Sequence, residues 1–290
     1  MILVTGATGR IGREVVKQLA VSGFPMRAMV RDDRKAELLK DHAHEIVVAD
    51  FSVEDSMRNA LDGIESVFLS SPSHPRQVEW EANVVRAAKK EGIRHIVKIS
   101  TLGAKPEADL SMSRWHGESE KMITESGIPY TFLRCHNFMQ NLFGLIPEVI
   151  SDSTIRLPVG SGKVAMIDAR DVAAAAVATL TETGHENKIY RLTGGEALSF
   201  YEIAEAISNV IGKEVTYRDI CSEDARKEML KRGVADWLVD DLIRLYDQFR
   251  DGKGARVWDD FYRITGRQPI IFQRFVSDYT HRFKEQSDTA

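Results

Sequence analysis

The chain has 290 residues, 43% hydrophobic and 28% charged, which gives enough apolar surface for a sizeable buried core and excludes disordered, collagenous and membrane-spanning classes. A formal net charge of −4 without long like-charge runs leaves no electrostatic footprint for nucleic acid or a membrane surface, so a small-molecule partner is expected. Cys135 and Cys221 are too few for a disulfide framework and lack zinc-ligand spacing, and the opening "MILVTGATG" enters a strand at once; a cytoplasmic setting without a metal is expected.

In chain order, β-branched runs at 2–5, 26–30, 45–49, 66–70, 95–100 and 130–134 alternate with amphipathic stretches at 10–22, 33–40, 53–61, 76–91 and 113–126. Several of these stretches end at a glycine (Gly23, Gly63, Gly92, Gly127), where a helix wants a left-handed closing residue. Strands alternating with helices need crossover connections, so the pattern predicts an α/β fold built on a doubly wound parallel Rossmann sheet.

Between the first strand and first helix lies "VTGATGRIGREVV", with Gly6, Gly9 and Gly12 spaced three apart. Such glycines allow a tight turn, close approach of a pyrophosphate to the backbone, and close packing of helix on strand. The N–H groups at the helix start then meet the phosphate charge, so Gly6, Ala7, Thr8, Gly9, Arg10, Ile11 and Gly12 are candidates to hold a dinucleotide. At the end of the second strand "MVRDD" places Arg31 first, suited to the extra phosphate of NADP(H), while Asp32 keeps NAD(H) as the alternative. Asp50 and Phe51 follow the third strand, where an adenine would lie; a turn and a core aromatic are the alternative roles. Leu69, Ser70, Ser71 and Pro72 end the fourth strand, where their backbone would line the nicotinamide ribose channel.

The stretch "SMSRWHGESEKMITESG" at 111–127 reads as a helix carrying His116 and no tyrosine. After the sixth strand, "RCHNFMQNLF" should pass over the nicotinamide end. His136 and Asn137 could contact the carboxamide or the substrate, and Phe138, Met139 and Phe143 could stack on a flat apolar ligand or pack in the core. Further on, an aromatic helix is expected near 138–150, strands near 153–157, 164–167 and 188–192, a helix at 170–182, and a capping box at 199–202. Asp168 and Asp171 bracket a helix entrance, where capping explains them. From 222 onward the pattern is helical, with Leu238, Leu242, Leu245 and Phe249 on one face and Phe272, Phe275, Tyr279 and Phe283 on another.

With "TGATGRIG", "VRD", "ADF", "LSSP", "HGESEKMI" and "TGRQPIIFQRFV" in this order, the chain resembles the NmrA-like atypical short-chain dehydrogenases, especially the type-two NAD(P)H quinone oxidoreductases and the triphenylmethane reductases. The resemblance implies an NADP-binding Rossmann core at 1–135, to which 164–195 returns, and a smaller, mainly helical substrate lobe formed by 136–163 and 196–290. It also implies a cleft between them. Related dehydrogenases carry a Tyr-x-x-x-Lys pair on the helix at 113–126; alignment through Glu120 puts Met112 at the tyrosine and His116 at the lysine.

Without that pair, the acceptor must leave an anion that tolerates delayed protonation. A quinone leaves a phenolate, comparable with tyrosine at pKa ≈ 10, whereas a ketone leaves an alkoxide closer to the ≈ 15.7 of water. The difference favours quinone-like acceptors by roughly 7–8 kcal/mol. Two functions are therefore expected: an NADPH-dependent reductase of quinones or similar conjugated acceptors, with His116 as the candidate catalytic residue, or a non-catalytic NADP(H) sensor acting through a protein partner. An isomerase or ether reductase fits less well, since such relatives use a lysine where His116 stands.

Overall fold

A computed structural model describes residues 1–284 of the chain, so the last six positions of the expected lobe lie outside the described residues. The chain begins β1 (Ile2–Val4), α1 (Arg10–Val21), β2 (Met26–Val30), β3 (Glu45–Val48), α2 (Glu54–Leu61), β4 (Ser66–Leu69), α3 (Gln77–Lys90), β5 (His95–Thr101), α4 (Ser111–Ser126) and β6 (Tyr130–Cys135). It continues through α5 (Ile146–Asp152), β7 (Thr154–Leu157), β8 (Lys163–Val164), α6 (Ala169–Thr181), β9 (Lys188–Leu192), β10 (Leu198–Ser199), α7 (Phe200–Ile211) and β11 (Thr216–Asp219). The remainder is α8 (Ser222–Lys231), α9 (Asp236–Arg250), α10 (Asp260–Thr265), α11 (Phe272–Asp278) and α12 (Thr280–Lys284).

These elements fall into two compact units. The first comprises Met1–Cys135, Ala169–Leu192 and Asp260–Arg267. Its sheet runs β3-β2-β1-β4-β5-β6-β9, every neighbour parallel, so the strand order reverses between β1 and β4. A ligand crevice in such a sheet forms outside the carboxyl ends of the strands at that reversal. Buried side chains such as Leu3, Val67, Leu69, Ile96 and Phe132 join Met57, Val84 and Ile123 from the helices in one core cluster. Apolar runs that fill both faces of a parallel strand are what such a layered arrangement demands.

The structure refines several expected boundaries. Residues 33–40 form only a 3-10 turn at Asp33–Leu38, started by the Asp32 side chain accepting from the Arg34 amide. The expected helix at 138–150 is a 3-10 segment, Met139–Leu145, followed by α5, where Pro147 lacks the N–H that a continuous helix would use. Asp260–Arg267, expected in the lobe, lies in the first unit. Asp260 accepts from the Arg191 amide at 2.8 Å, Arg267 pairs with buried Asp171 at 2.9 Å, and Phe261 is fully buried.

The second unit comprises His136–Asp168, Thr193–Asp259 and Gln268 onward. Its core gathers Val149, Phe200, Ile203, Ile207, Phe249, Phe272, Phe275 and Phe283. Ser199 opens α7 through the expected capping box with Glu202. Of the stripe expected on α9, Leu245 and Phe249 pack on the main core, whereas Leu238 and Leu242 are half-buried and it is Val239 and Ile243, outside that stripe, that pack with Ala225 of α8. No helix among the described residues is long and apolar enough to cross a membrane.

Candidate functional site

The glycine loop leaves β1 at Thr5, whose hydroxyl donates to the Phe68 carbonyl at 2.9 Å and accepts from the Ser70 amide at 2.9 Å. This fastens the loop to the end of β4. Gly6 has φ of +59°, and a Cβ there would lie 2.5 Å from the Ser70 carbonyl oxygen. A Cβ on Gly12 would lie 2.2 Å from the Gly6 carbonyl oxygen. The turn closes with the Gly9 amide donating to the Gly6 carbonyl at 2.8 Å, and Gly9 caps α1 without any side-chain cap. Helix α1 thus starts without a side-chain cap from Gly9, and the start of such a helix is where a dinucleotide phosphate would be met. Gly9 and Arg10 are exposed, Thr8 half-buried, and Ala7, Ile11 and Gly12 buried against the core.

Arg31 is exposed at the end of β2, and its charge, with that of Arg76, acts on Asp50. Asp50 accepts from the Ser52 amide and hydroxyl, each at 2.7 Å; these bonds, chiefly the amide's, hold its carboxyl below the usual range. The turn role expected as the alternative for Asp50 is thus present. Phe51 packs on the first unit's core, and its carbonyl accepts from Asn83 at 2.8 Å. Asp32, the residue that kept NAD(H) open, is covered by Arg34, whose Nη2 lies 2.6 Å from Oδ2. That hydrogen bond also lowers the Asp32 carboxyl's pKa. A neutralised Asp32 beside an uncovered Arg31 suits a phosphate better than a ribose diol.

His116 sits in a cluster that no sequence motif marked. Lys98, in the middle of β5, is fully buried, and so is Glu81 of α3. Lys98 Nζ lies 2.8 Å from the Glu81 carboxylate, 3.1 Å from the Ile99 carbonyl and 3.2 Å from His116 Nδ1. Glu81 also accepts from the Ser71 hydroxyl at 2.6 Å, which brings the end of β4 into the same network. Where α4 has His116 in place of a lysine, a lysine is thus brought up by a strand.

Protonation in this cluster follows from chemistry. Lys98 Nζ forms an ion pair with the Glu81 carboxylate, so the positive charge of the cluster sits on the lysine. Burial alone would raise the Glu81 carboxyl, but Lys98 first, then the His116 ring and the Ser71 hydroxyl, bring it below its ordinary value. Burial first, and then the Lys98 ammonium, push His116 down to about 3, with Glu81 opposing. An ammonium cannot face an N–H, so Nδ1 accepts from Lys98 and the ring's one proton is on Nε2. Gln77 Nε2, 3.1 Å from the same Nδ1, donates to it as well.

One turn along α4, buried Glu120 accepts from the Ser100 hydroxyl at 2.6 Å and from the Arg134 guanidinium, with Nε at 3.0 Å. Ser100 is thereby engaged in an internal bond. Leu69 is fully buried, Ser70 and Ser71 are half-buried, and Pro72 is exposed.

The remaining expected residues lie in the second unit. His136 differs from its expected role: Nδ1 accepts from the Asn137 amide at 2.6 Å and Nε2 donates to the Gly254 backbone carbonyl at 3.0 Å, so neither nitrogen is left for a carboxamide. Asn137 uses its Oδ1 to accept from Asn141, and its carbonyl accepts from the Ile167 amide at 3.0 Å. Met139, expected to stack on a ligand, is 1% exposed in the core and is withdrawn from that role. Phe143 lies in an aromatic cluster, 5.6 Å from the Phe275 ring and 5.1 Å from that of Tyr279. Phe138 is half-buried and forms a bridge with Ile167. Burial raises the Cys135 thiol, in keeping with an inert core residue.

Burial pushes His136 down to about 4. A base with a lowered folded pKa contributes stability that is complete above its unfolded value of about 6.5 and lost as pH falls toward 4, because only the unfolded chain takes the proton in that window. Urea unfolding should show stability falling over this range by about 3 kcal/mol from His136 alone. His136→Asn should flatten that part of the slope; an unchanged slope would contradict the assignment.

Lys98 and Glu81 are the site residues that sequence reasoning missed. The available signal was a lone lysine inside the apolar run "HIVKIS" of a central strand, where a charge must find a partner.

Comparison with known proteins bears on this geometry. The model for the NmrA-like family matches residues 1–254. The chain is 38% identical over 283 residues to an NAD(P)H azoreductase of Xenophilus azovorans, covering 98% of this chain and 99% of that protein. An NADPH-dependent quinone oxidoreductase of Escherichia coli, solved in complex with NADPH, is similar in structure with a TM-score of 0.88 and 30% identity, covering 97% of this chain and 100% of that one. The Citrobacter sp. triphenylmethane reductase complexed with NADP(H) gives a TM-score of 0.86 at 29% identity, covering 96% and 99%.

Proposed function

The chain belongs to the NmrA-like family, and from that premise we infer that it is an NADPH-dependent oxidoreductase acting on quinone-like or dye acceptors. The observation that carries this reading is the pairing of an intact phosphate cradle at Gly6–Gly12 with a neutral His116 where related dehydrogenases keep a proton-delivering pair. The amides at the start of α1 would hold the pyrophosphate, and Arg31 the extra phosphate. When bound, the nicotinamide supplies a hydride. The chain's own residues then orient the dinucleotide and stabilise charge on the acceptor, and the proton that completes a phenolate comes from water. His116 is the residue assigned to contact the acceptor. The unpaired Cys135 and Cys221 fit a reducing compartment, and the cytoplasm is the proposed location.

Anaerobic mixing with NADPH and a benzoquinone, an azo dye or a triphenylmethane dye should discharge the nicotinamide absorbance with repeated turnover. NADPH binding without turnover on any of them would leave a nucleotide-binding regulator instead. Arg31→Ala should weaken NADPH roughly 10- to 100-fold, the effect of losing a charge-assisted contact, with NADH affinity unchanged. Equal losses for both nucleotides, measured by calorimetry, would place the phosphate elsewhere.

A further inference from the structure

The Lys98–Glu81 pair is fully buried and charged, and it meets the proposed site at two points, His116 Nδ1 through Lys98 and the Ser71 hydroxyl through Glu81. A buried pair of this kind is a poor source of stability, and an apolar pair of similar volume would serve a core as well. What the pair does supply is a fixed donor to one nitrogen of one imidazole. His116 keeps some solvent exposure, and its Nε2 makes no hydrogen bond to a described residue and is not among the buried polar atoms lacking a partner. The ring therefore has an inner edge fixed by the protein and an outer edge open to a ligand.

We propose that Lys98 and Glu81 are positioning residues that lock His116 as the neutral, Nε2-protonated tautomer, so that it offers the acceptor a hydrogen bond and keeps its proton. The inference rests on the reductase reading and assigns the device by which that site receives its acceptor: a carbonyl oxygen or azo nitrogen with a lone pair. As the acceptor gains a hydride with its two electrons from the reduced nicotinamide, negative charge appears on that oxygen or nitrogen. The Nε2–H bond stays intact, the charge is held by it, and the reduced acceptor takes its proton from water on release. A neutral imidazole suits this role because it stabilises an anion without giving up its own proton. The charged groups facing His116 are Lys98 from β5 and Glu81 from α3. Gln77, also on α3, adds an uncharged donor to Nδ1. Ser71 ties the pair to the end of β4, where the nucleotide loop is also fastened, which puts the locked ring on the ligand side of the sheet.

The ring's state can be read without nucleotide or acceptor, by nitrogen-detected NMR of protein labelled in its histidines, titrated between about pH 5 and 8. His116 should remain neutral with its proton on Nε2 throughout. In the charge-balanced double variant Lys98→Met with Glu81→Gln, the ring should titrate in the ordinary histidine range and show both tautomers. Turnover of a benzoquinone by the double variant should fall about ten-fold, with KM for NADPH within about two-fold and a new histidine titration in the pH profile of kcat. A wild-type ring that carries its proton on Nδ1, or takes up a second proton above about pH 5, overturns the proposal even if the double variant fails to fold. So does a folded double variant with the wild-type tautomer and pH profile. A protein that reduces nothing yet shows the locked ring counts against the reductase reading alone, whereas an active reductase whose His116 titrates normally counts against the lock alone.

Discussion

Gly12→Ala should raise the Kd for NADPH by at least about 100-fold, because the new Cβ cannot be placed without moving the phosphate cradle itself. The added carbon would sit 2.2 Å from the Gly6 carbonyl oxygen, 2.7 Å from the Gly6 carbonyl carbon and 3.0 Å from the Ala7 Cα. All three are backbone atoms, so no side chain can rotate away. Relief requires the loop to retreat from α1 by about an ångström, and that distance is enough to spoil an array of amides aimed at a pyrophosphate. The loop cannot retreat toward β4, since Gly6 already lies against the Ser70 carbonyl and Thr5 is hydrogen-bonded to the Phe68 carbonyl and the Ser70 amide. Overpacking should also cost about 2–3 kcal/mol of stability. Val21→Ala, at an 89% exposed position of the same helix, is the control and should leave both quantities unchanged. Calorimetric titration giving Gly12→Ala an NADPH affinity within about three-fold of wild type would contradict this account of the cradle.

Gly117→Ala is expected to separate two properties that Gly12→Ala damages together. A Cβ on Gly117 would fall 2.1 Å from the carbonyl carbon, 2.4 Å from the Cα and 2.5 Å from the nitrogen of Lys105. Helix α4 therefore touches the backbone of the preceding loop at a point where only hydrogen fits. Forcing them apart moves His116, the adjacent residue, away from Lys98, and strains the bonds of Glu120 to Ser100 and Arg134 one turn on. We expect a loss of about 3 kcal/mol in urea unfolding and a turnover reduced at least ten-fold. NADPH affinity should change little, because the phosphate loop is held by β1, α1 and the end of β4. Wild-type turnover in this variant would show that the packing of α4 does not govern the site.

Much of the fold could be read from local signals. The alternation of β-branched runs with amphipathic stretches marked every strand from β1 to β6, since a strand buried on both faces needs a continuous apolar run and a helix needs a 3.6-residue stripe. The glycine spacing at 6, 9 and 12 marked the nucleotide loop because each glycine answers a steric demand expressed within a few residues of itself. The Ser199–Glu202 capping box was equally local. Where short-range chemistry competed, the same signals misplaced boundaries, as Pro147 did by restarting a helix and Asp32 by tightening a turn.

The tertiary structure decided what those side chains do. Asp32 favours a ribose diol in sequence, yet Arg34 folds back and covers its charge. His136 stands in the stretch expected to meet the nicotinamide, yet both of its nitrogens are engaged within the protein. The state of His116 is set by Lys98 and Glu81, which come from a separate strand and a separate helix and meet only once the sheet is wound. Sequence determines which residues can turn, cap or line a core, because those preferences act over neighbouring positions; which lone pair or proton is left facing outward depends on partners that folding alone brings within hydrogen-bond reach.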